Sequence, residues 1–205
     1  MSEQAKSGAC VIKEVCSHLT SGALEDAAQL LRERYPFDLR ENAGRKCTLK
    51  KAVGIFVRDG FIDRYSGRAL LLPGALRIIS VRLPDQFPYH PNGKTDECHF
   101  AYWELMPTID HVIPASRGGK NDETNWVTTS MKKNSEKANY TLEELGWTLS
   151  PPGDVKAWDG QMSWFLSEVT RDPALLKIPY ILRWAQATRG FLAVARNQEM
   201  EAHAQ

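Results

Sequence analysis

The segment from residue 107 to residue 137 constrains the fold more than any other part of the sequence. A short apolar run ends in the pair Asp110-His111, and a Gly-Gly pair follows a few residues later. A second apolar run then leads into a polar, lysine-rich stretch that carries Asn134. The pattern predicts a strand, a loop, a second strand and a helix, an order that can bring Asp110, His111 and Asn134 to one place.

The side chains of this segment suit phosphodiester hydrolysis, which needs a base for water and a cation on the scissile phosphate. Mg²⁺ takes oxygen ligands and keeps several waters, so the carboxylate of Asp110 and the amide oxygen of Asn134 would suffice. A neutral imidazole at His111 can act as the base. Because side chains alternate along a strand, a strand end, a bulge or a turn must let Asp110 and His111 reach the same phosphate.

The run Asp110-His111-Val-Ile-Pro-Ala-Ser-Arg-Gly-Gly, followed by Asn125-Trp-Val and by Asn134, resembles HNH endonucleases of the ββα-metal type. The resemblance implies that His111 is the general base and that Asp110 and Asn134 bind Mg²⁺ or Mn²⁺. It also implies that Asn125 shapes the loop and helps to orient the catalytic base. DNA is the implied substrate, and one site per chain would cut one strand, so double-strand cleavage needs a homodimer or two events.

A second stretch, from residue 58 to residue 67, is similar to the lead-in RDGxxCxxCG of the same family. Asp63 and Ser66 stand where the family often has two cysteines, and Ser130 and Lys133 stand where it often has two more. No tetrahedral thiolate set remains, so we expect no structural zinc. Core packing must then hold the fold. The apolar stretch 70–83 and the Trp-rich C-terminal helices are the expected substitutes for the zinc ion.

The net charge of the chain is +1, so the composition gives no global signature of nucleic-acid binding. Contacts to phosphate must come from local patches. Arg117 lies beside the Gly-Gly pair, and Lys132, Lys133 and Lys137 lie on the predicted helix. These four are the candidate nucleic-acid-binding residues, although three lysines on a helix can equally form a solvated face.

Two other functions stay open. The near-neutral charge and the lost zinc cysteines are compatible with a catalytically inactive nucleic-acid-binding or protein-binding module on the same scaffold. An RNA-cleaving nuclease or toxin differs from the first hypothesis in its substrate alone. A role in restriction or phage defence follows only by analogy with other small nucleases.

The organisation that we predict is an α+β fold with an HNH core. Residues 1–47 form an N-terminal helical segment, 48–150 the nuclease core with an insert at 68–106, and 151–205 a helical extension packed on the core. No apolar run approaches the length that crosses a bilayer, and the N-terminus lacks the apolar region of a secretion signal. We therefore expect a cytoplasmic protein with no membrane partner.

Capping residues and apolar spacing predict the individual elements. Ser21 is predicted to cap a helix that runs to Arg34, and Thr48 a helix that runs to about Val57. Further helices are predicted at 10–19, 158–169 and 178–195, with a helix or strand at 75–81 and a capping box at Thr141 and Glu144. A strand, turn and strand are predicted at 61–68. The connecting stretches are an exposed loop at 38–47, an irregular loop at 84–99 and a linker at 151–153. Residues 196–205 are expected to fray.

Overall fold

The computed structural model describes residues 8–36 and 47–203. The chain divides into two compact units, residues 1–42 and residues 43–205. Helices and one two-stranded antiparallel sheet make up the described part, so the α+β prediction is confirmed. The predicted loop at 38–47 lies outside the described residues, apart from Cys47. None of the helices in the described ranges is long and apolar enough to cross a membrane.

The first unit is a pair of helices, α1 (Gly8–Thr20) and α2 (Leu24–Arg34), packed on Val11, Val15 and Ala27. The predicted cap at Ser21 is wrong, because α2 begins later and its N-cap position is Ala23. Gly22 has φ +78°, which is incompatible with a right-handed helix starting there. The Ser21 hydroxyl instead donates to the carbonyl of His18 at the end of α1.

The second unit carries all the other described elements. They are, in order, α3 (Leu49–Arg58), α4 (Pro73–Arg82), α5 (Ala101–Glu104), β1 (Pro107–His111), β2 (Trp126–Ser130), α6 (Met131–Lys137), α7 (Leu142–Leu145), α8 (Met162–Arg171) and α9 (Pro179–His203). Two short 3₁₀ helices, Ala115–Arg117 and Pro173–Lys177, join them. The alternatives at 75–81 resolve as a helix, and α9 continues well into the stretch that was expected to fray.

Side-chain caps fix the ends of two helices as predicted. The hydroxyl of Thr48 accepts from the backbone N–H of Lys51 and starts α3. Thr141 and Glu144 form a reciprocal capping box at the start of α7. Each cap satisfies backbone N–H groups that have no partner within the helix.

Two local predictions are wrong. Residues 61–68 form a tight turn with an isolated bridge between Ile62 and Ala69, and not two strands, because the carboxylate of Asp63 bonds the backbone of Tyr65 inside the turn. The stretch 151–153 is not a free linker. The backbone N–H of Gly153 donates to the carbonyl of Asp59 at 3.0 Å, which ties this stretch to the end of α3.

One apolar core joins α3, α4, α8 and α9, with Phe56, Phe61 and Phe165 fully buried at its centre. Ile109 from β1 and Trp126 from β2 belong to the same core. Each strand is therefore anchored in the helical core by one buried side chain. A smaller cluster of Leu76, Cys98 and Tyr102 lies beneath the irregular loop at 84–99.

Candidate active site

The order of elements predicted for 107–137 is confirmed. β1 and β2 pair antiparallel, with Asp110 opposite Val127 and His111 opposite Trp126. β1 ends at His111, so the candidate base is at a strand end, one of the arrangements that the alternation of side chains allows. α6 follows β2 directly, and the hydroxyl of Ser130 caps it by accepting from the N–H of Lys133.

Asn125 holds the loop that connects the two strands. Its amide oxygen accepts from the N–H of Ile113 at 2.9 Å. Its amide nitrogen donates to the carbonyls of Ile113 and Lys120, both also at 2.9 Å. These bonds tie the two sides of the loop to each other. Shaping this loop is the role that the resemblance implies for Asn125.

The Gly-Gly pair lets the same loop turn back on itself. Gly118 has φ +82°, in the left-handed region that glycine enters without strain. At Gly119 a Cβ atom would lie only 1.8 Å from the carbonyl oxygen of Ile113. Backbone therefore packs directly on backbone at Gly119, and no side chain fits there.

His111 is buried between a donor and an acceptor. The indole N–H of Trp126 donates to Nε2 of His111 over 3.0 Å, and Oδ1 of Asn121 lies 3.1 Å from the same nitrogen. An indole nitrogen can only donate, so Nε2 presents its lone pair to Trp126. When Nε2 takes up a proton, Asn121 Oδ1 is placed to accept from it. Nε2 is thus the ring nitrogen that is set up to gain a proton.

Asp110 is buried and anchored by two donors on one carboxylate oxygen. The hydroxyl of Tyr65 lies 2.8 Å from Oδ2, and Nζ of Lys137 lies 3.0 Å from it. Burial, and then the negative charge of Asp110, raises the pKa of Tyr65, so this phenol stays protonated and donates. Lys137 also donates to the backbone carbonyl of His111 at 2.7 Å, which ties α6 to both candidate residues of β1.

The burial of Lys137 corrects one prediction. Its side chain is 0% exposed, so its ammonium faces Asp110 and not a surface where DNA could approach. The other three candidate nucleic-acid contacts lie at the surface beside acidic partners: Arg117 with Glu144 at 3.0 Å, Lys132 with Glu104 at 3.6 Å, and Lys133 with Glu136 at 2.7 Å. Their contact with nucleic acid stays a prediction.

Asn134 lies in α6, one helical turn before Lys137. Residues three apart on a helix are neighbours on one face, with Cβ atoms ~5–6 Å apart. Asn134 is half-buried and is a neighbour of Lys137 on α6, the helix that reaches Asp110. Within the described ranges no group of three or more His, Cys, Asp or Glu side chains could hold a metal ion. A magnesium site of one carboxylate and one amide does not require such a group.

The four positions where the family often has zinc cysteines lie together. Asp63, Ser66, Ser130 and Lys133 all line one cavity of about 360 Å³. The carboxylate of Asp63 accepts from the backbone N–H of Ser130 at 3.1 Å and from the hydroxyl of Thr129 at 3.0 Å. The Ser66 hydroxyl is buried there without a hydrogen-bond partner.

The lead-in segment is joined to β2 by a buried carboxylate as well. Asp59 accepts from the N–H of Thr128 at 2.8 Å and from the guanidinium groups of Arg58 and Arg64. The backbone N–H of Arg64 donates to the carbonyl of Thr128 at 2.9 Å. The two matched stretches of sequence are therefore neighbours in the structure.

Sequence reasoning missed the partners of the candidate residues. Tyr65 is inside the lead-in, but nothing in the sequence indicates that it reaches Asp110. Trp126 belongs to the apolar core, and its indole N–H also donates to His111, a contact that the sequence does not indicate by itself. The available signal was the alternation of the two strands, which places Trp126 opposite His111 once the loop is closed.

Comparison of the chain with protein-family models, with curated proteins and with solved structures finds no match. The assignment of a function therefore depends on the chemistry of the chain's own residues.

Proposed function

We propose that this chain is a metal-dependent DNA endonuclease of the HNH type, with His111 as the general base and one Mg²⁺ or Mn²⁺ ion. The observation that carries the proposal is the return of α6 to the end of β1 through Lys137, which contacts both Asp110 and the carbonyl of His111. Asn134 stands one turn earlier on the same face of α6. Asp110 and His111 lie at the end of β1, and the helix that carries Asn134 is tied to that strand end.

His111 supplies the proton-accepting group. Its Nε2 holds a lone pair, and it can take a proton from water when the water replaces the indole N–H of Trp126. The imidazolium that forms has an acceptor ready in Asn121 Oδ1, 3.1 Å away. Asn125 keeps the loop around this pair closed, so the base does not have to be ordered during the reaction.

Asp110 and Asn134 would hold the cation. Their donor set, one carboxylate oxygen and one amide oxygen, suits a hard ion that retains several waters. When bound, the ion supplies positive charge to the phosphate and to the departing oxygen. Tyr65 and Lys137 fix the orientation of the Asp110 carboxylate through its Oδ2 atom.

The geometry of the lead-in also supports the proposal. The resemblance puts the family's four zinc positions at Asp63, Ser66, Ser130 and Lys133, and these residues line one cavity. A chance alignment of two separate stretches has no reason to bring four corresponding positions together. In this chain the Asp63 carboxylate joins the two stretches through hydrogen bonds.

A catalytically inactive binding module is the second candidate, and two contacts favour it. The ammonium of Lys137 already neutralises Asp110, and the indole of Trp126 already occupies the lone pair of His111. An inactive scaffold would keep both contacts permanently. Such a module would bind nucleic acid without any requirement for a divalent ion.

A plasmid assay tests the proposal. Supercoiled DNA is incubated with the full chain and Mg²⁺ or Mn²⁺, and nicked circles are expected before linear DNA because one site cuts one strand. His111→Ala should lose at least about a hundredfold in rate, since general-base catalysis contributes about 10²–10⁴-fold. Asn134→Ala should also slow the reaction, because it removes one of the two proposed protein ligands of the ion. Excess EDTA should stop the reaction.

His18→Ala is the matched control, because His18 lies on α1 in the other unit and should leave the rate unchanged. Incubation of the chain with single-stranded RNA under the same conditions tests the RNA-cleaving alternative. Equal cleavage by the native chain and by His111→Ala would overturn the assignment of the base. Tight DNA binding with no cleavage under any metal would establish the inactive module instead.

A further inference from the structure

A cavity of about 300 Å³ lies under the insert, in the same unit as the candidate site but on residues that the proposed chemistry does not use. Its walls come from the irregular loop, α5, the start of α6 and α9. Most of its lining is aromatic or sulfur-containing: Tyr89, Tyr102, Trp103, Tyr180, Met106 and Met131.

Hydrogen bonds, tilted contacts between rings and one cation–π contact hold these rings in place. The indole N–H of Trp103 donates to the carbonyl of Gly93 at 3.1 Å. The hydroxyl of Tyr102 donates to the carbonyl of Leu76 at 3.0 Å. Tyr89 packs against Tyr102 with ring centroids 5.3 Å apart and carries the guanidinium of Arg77 at 4.2 Å from its own centroid. The aromatic walls are therefore preformed.

We infer that this cavity binds one nucleobase, a planar nitrogen heterocycle, taken from the DNA strand that the candidate site acts on. The DNA source of the base rests on the proposed function. A volume of about 300 Å³ is at the lower end of the ~300–1,000 Å³ typical of ligand pockets, so it suits one ring system and not a peptide. Aromatic walls stack on the faces of any base, which is how enzymes hold a base that has left the helix.

The mouth of the cavity supplies the polar groups that such a ligand needs. Asn92 is exposed at the rim, and its amide can both donate and accept along the edge of a base. His90 is fixed beside it, because its Nδ1 accepts from the backbone N–H of Asn92 at 3.2 Å. Apolar walls with a few polar groups at one end match the two faces and the edge of a base.

The cavity is also close to the candidate site along the chain. The backbone N–H of Met131 donates to the carbonyl of Met106 at 3.2 Å, so the cavity wall joins the beginnings of β1 and α6. Asp110 is four residues after Met106, which spans at most ~13 Å of strand. DNA advances ~3.4 Å per nucleotide along a strand, so the bound base would be within about four nucleotides of the cut.

A metal site fits the same region less well. His90, Cys98 and His99 lie close together in the sequence and are residue types that bind metals, but each has another environment in the structure. His99 stacks on Phe87 and accepts from the N–H of Ala101, and Cys98 is buried in the apolar cluster. The cavity therefore offers rings and not a set of metal ligands.

Binding experiments with the His111→Ala chain test the inference without cleavage of the probe. In the first arm, free deoxynucleoside monophosphates are titrated and followed by saturation-transfer NMR. In the second arm, duplexes carry 2-aminopurine at successive positions, and the change in its emission reports a base that leaves the stack. We expect transfer to the base protons, and an emission change at one position or two adjacent positions.

Two further substitutions connect these signals to the cavity. Met131→Trp fills it and Tyr89→Ala removes one wall, and each should weaken both signals by about tenfold or more. Tyr140→Ala removes an exposed aromatic ring elsewhere and should change neither. The thermal transition of each variant shows whether it folds.

The possible failures can be told apart. Unchanged signals in folded Met131→Trp and Tyr89→Ala chains would overturn the cavity assignment even if the native chain cleaves DNA. Binding of free nucleotides without binding of DNA would support the ring-binding cavity and contradict DNA as the source of the base. Loss of cleavage in His111→Ala with no emission change at any position would overturn the inference and leave the proposed function intact.

Discussion

The indole nitrogen of Trp126 donates to Nε2 of His111 across the strand pair, over 3.0 Å. The contact depends on register, because a slip of one residue would turn Trp126 to the other face of the hairpin. Asn125, the preceding residue, sets that register by closing the loop. The shape of the loop and the hydrogen bond that His111 Nε2 accepts are therefore linked through two adjacent residues, Asn125 and Trp126.

The tautomer of His111 is the first prediction. Since Nε2 accepts from an indole N–H, the neutral ring should carry its proton on Nδ1. Nitrogen-15 NMR of the imidazole, at a pH where the ring is neutral, distinguishes the two tautomers directly. In Trp126→Phe the donor is gone, and Nε2–H should become populated because Asn121 Oδ1 can then accept from it.

Trp147→Phe provides the comparison for this experiment, because Trp147 packs against Tyr65 and does not donate to His111. Its His111 spectrum should match that of the native chain. An Nε2–H tautomer in the native chain would show that Trp126 does not donate to His111 in solution.

The buried pair of Lys137 and Asp110 gives the second prediction. Lys137→Met removes the ammonium and leaves the carboxylate buried, so the free energy of unfolding should fall by about 3–5 kcal/mol. Lys133→Met on the same helix breaks a surface pair with Glu136 and should cost about 0–1 kcal/mol. Urea unfolding measures both.

A double variant checks the cause of that loss. Asp110→Asn together with Lys137→Met removes both charges, so it should be more stable than the sum of the two single changes implies. Strict additivity, or equal losses from Lys137→Met and Lys133→Met, would mean that the pair does not stabilise the fold.

The sequence predicted the hairpin, the helix that follows it and the starts of α3 and α7 well, because local rules dominate there. The Gly-Gly pair, the apolar runs on either side and the caps at Thr48 and Thr141 all depend on residues close in sequence. The resemblance then supplied the relation between the lead-in and α6. No local rule could supply that relation, because those residues are far apart along the chain.

Long-range contacts account for most of the failures. Lys137 looks like an exposed helix residue in the sequence, yet burial against Asp110 and Tyr65 is decided by how α6 packs on β1. Similarly, 61–68 was predicted to form two strands joined by a turn, but the Asp63 carboxylate closes a turn and bonds β2 instead. Side-chain bonds between distant segments determine both outcomes.

The Gly-Gly pair gives the third prediction, since its two residues are needed for different reasons. Gly118→Ala meets no nearby atom and costs only left-handed strain, about 1–2 kcal/mol. Gly119→Ala would put a methyl group against the Ile113 carbonyl, so the loop must move and the bonds of Asn125 must break. We expect thermal unfolding and hydrogen exchange at Ile113 to show a much larger effect for Gly119→Ala. Similar effects of the two changes would contradict the backbone contact.

The last prediction uses the cavity that the four zinc-position residues line. If Asp63, Ser66, Ser130 and Lys133 correspond to the family's zinc ligands, replacing all four by cysteine should create a tetrahedral thiolate site. The variant should bind one Zn²⁺ per chain, and Co²⁺ should give thiolate charge-transfer absorption. Its stability should depend on the metal, because the hydrogen bonds of Asp63 are lost.

A version with only three cysteines, which keeps Ser130, should bind Zn²⁺ much more weakly since a ligand is missing. If the four-cysteine chain folds and binds no better than that control, the four positions do not correspond to a zinc site and the resemblance loses its second half.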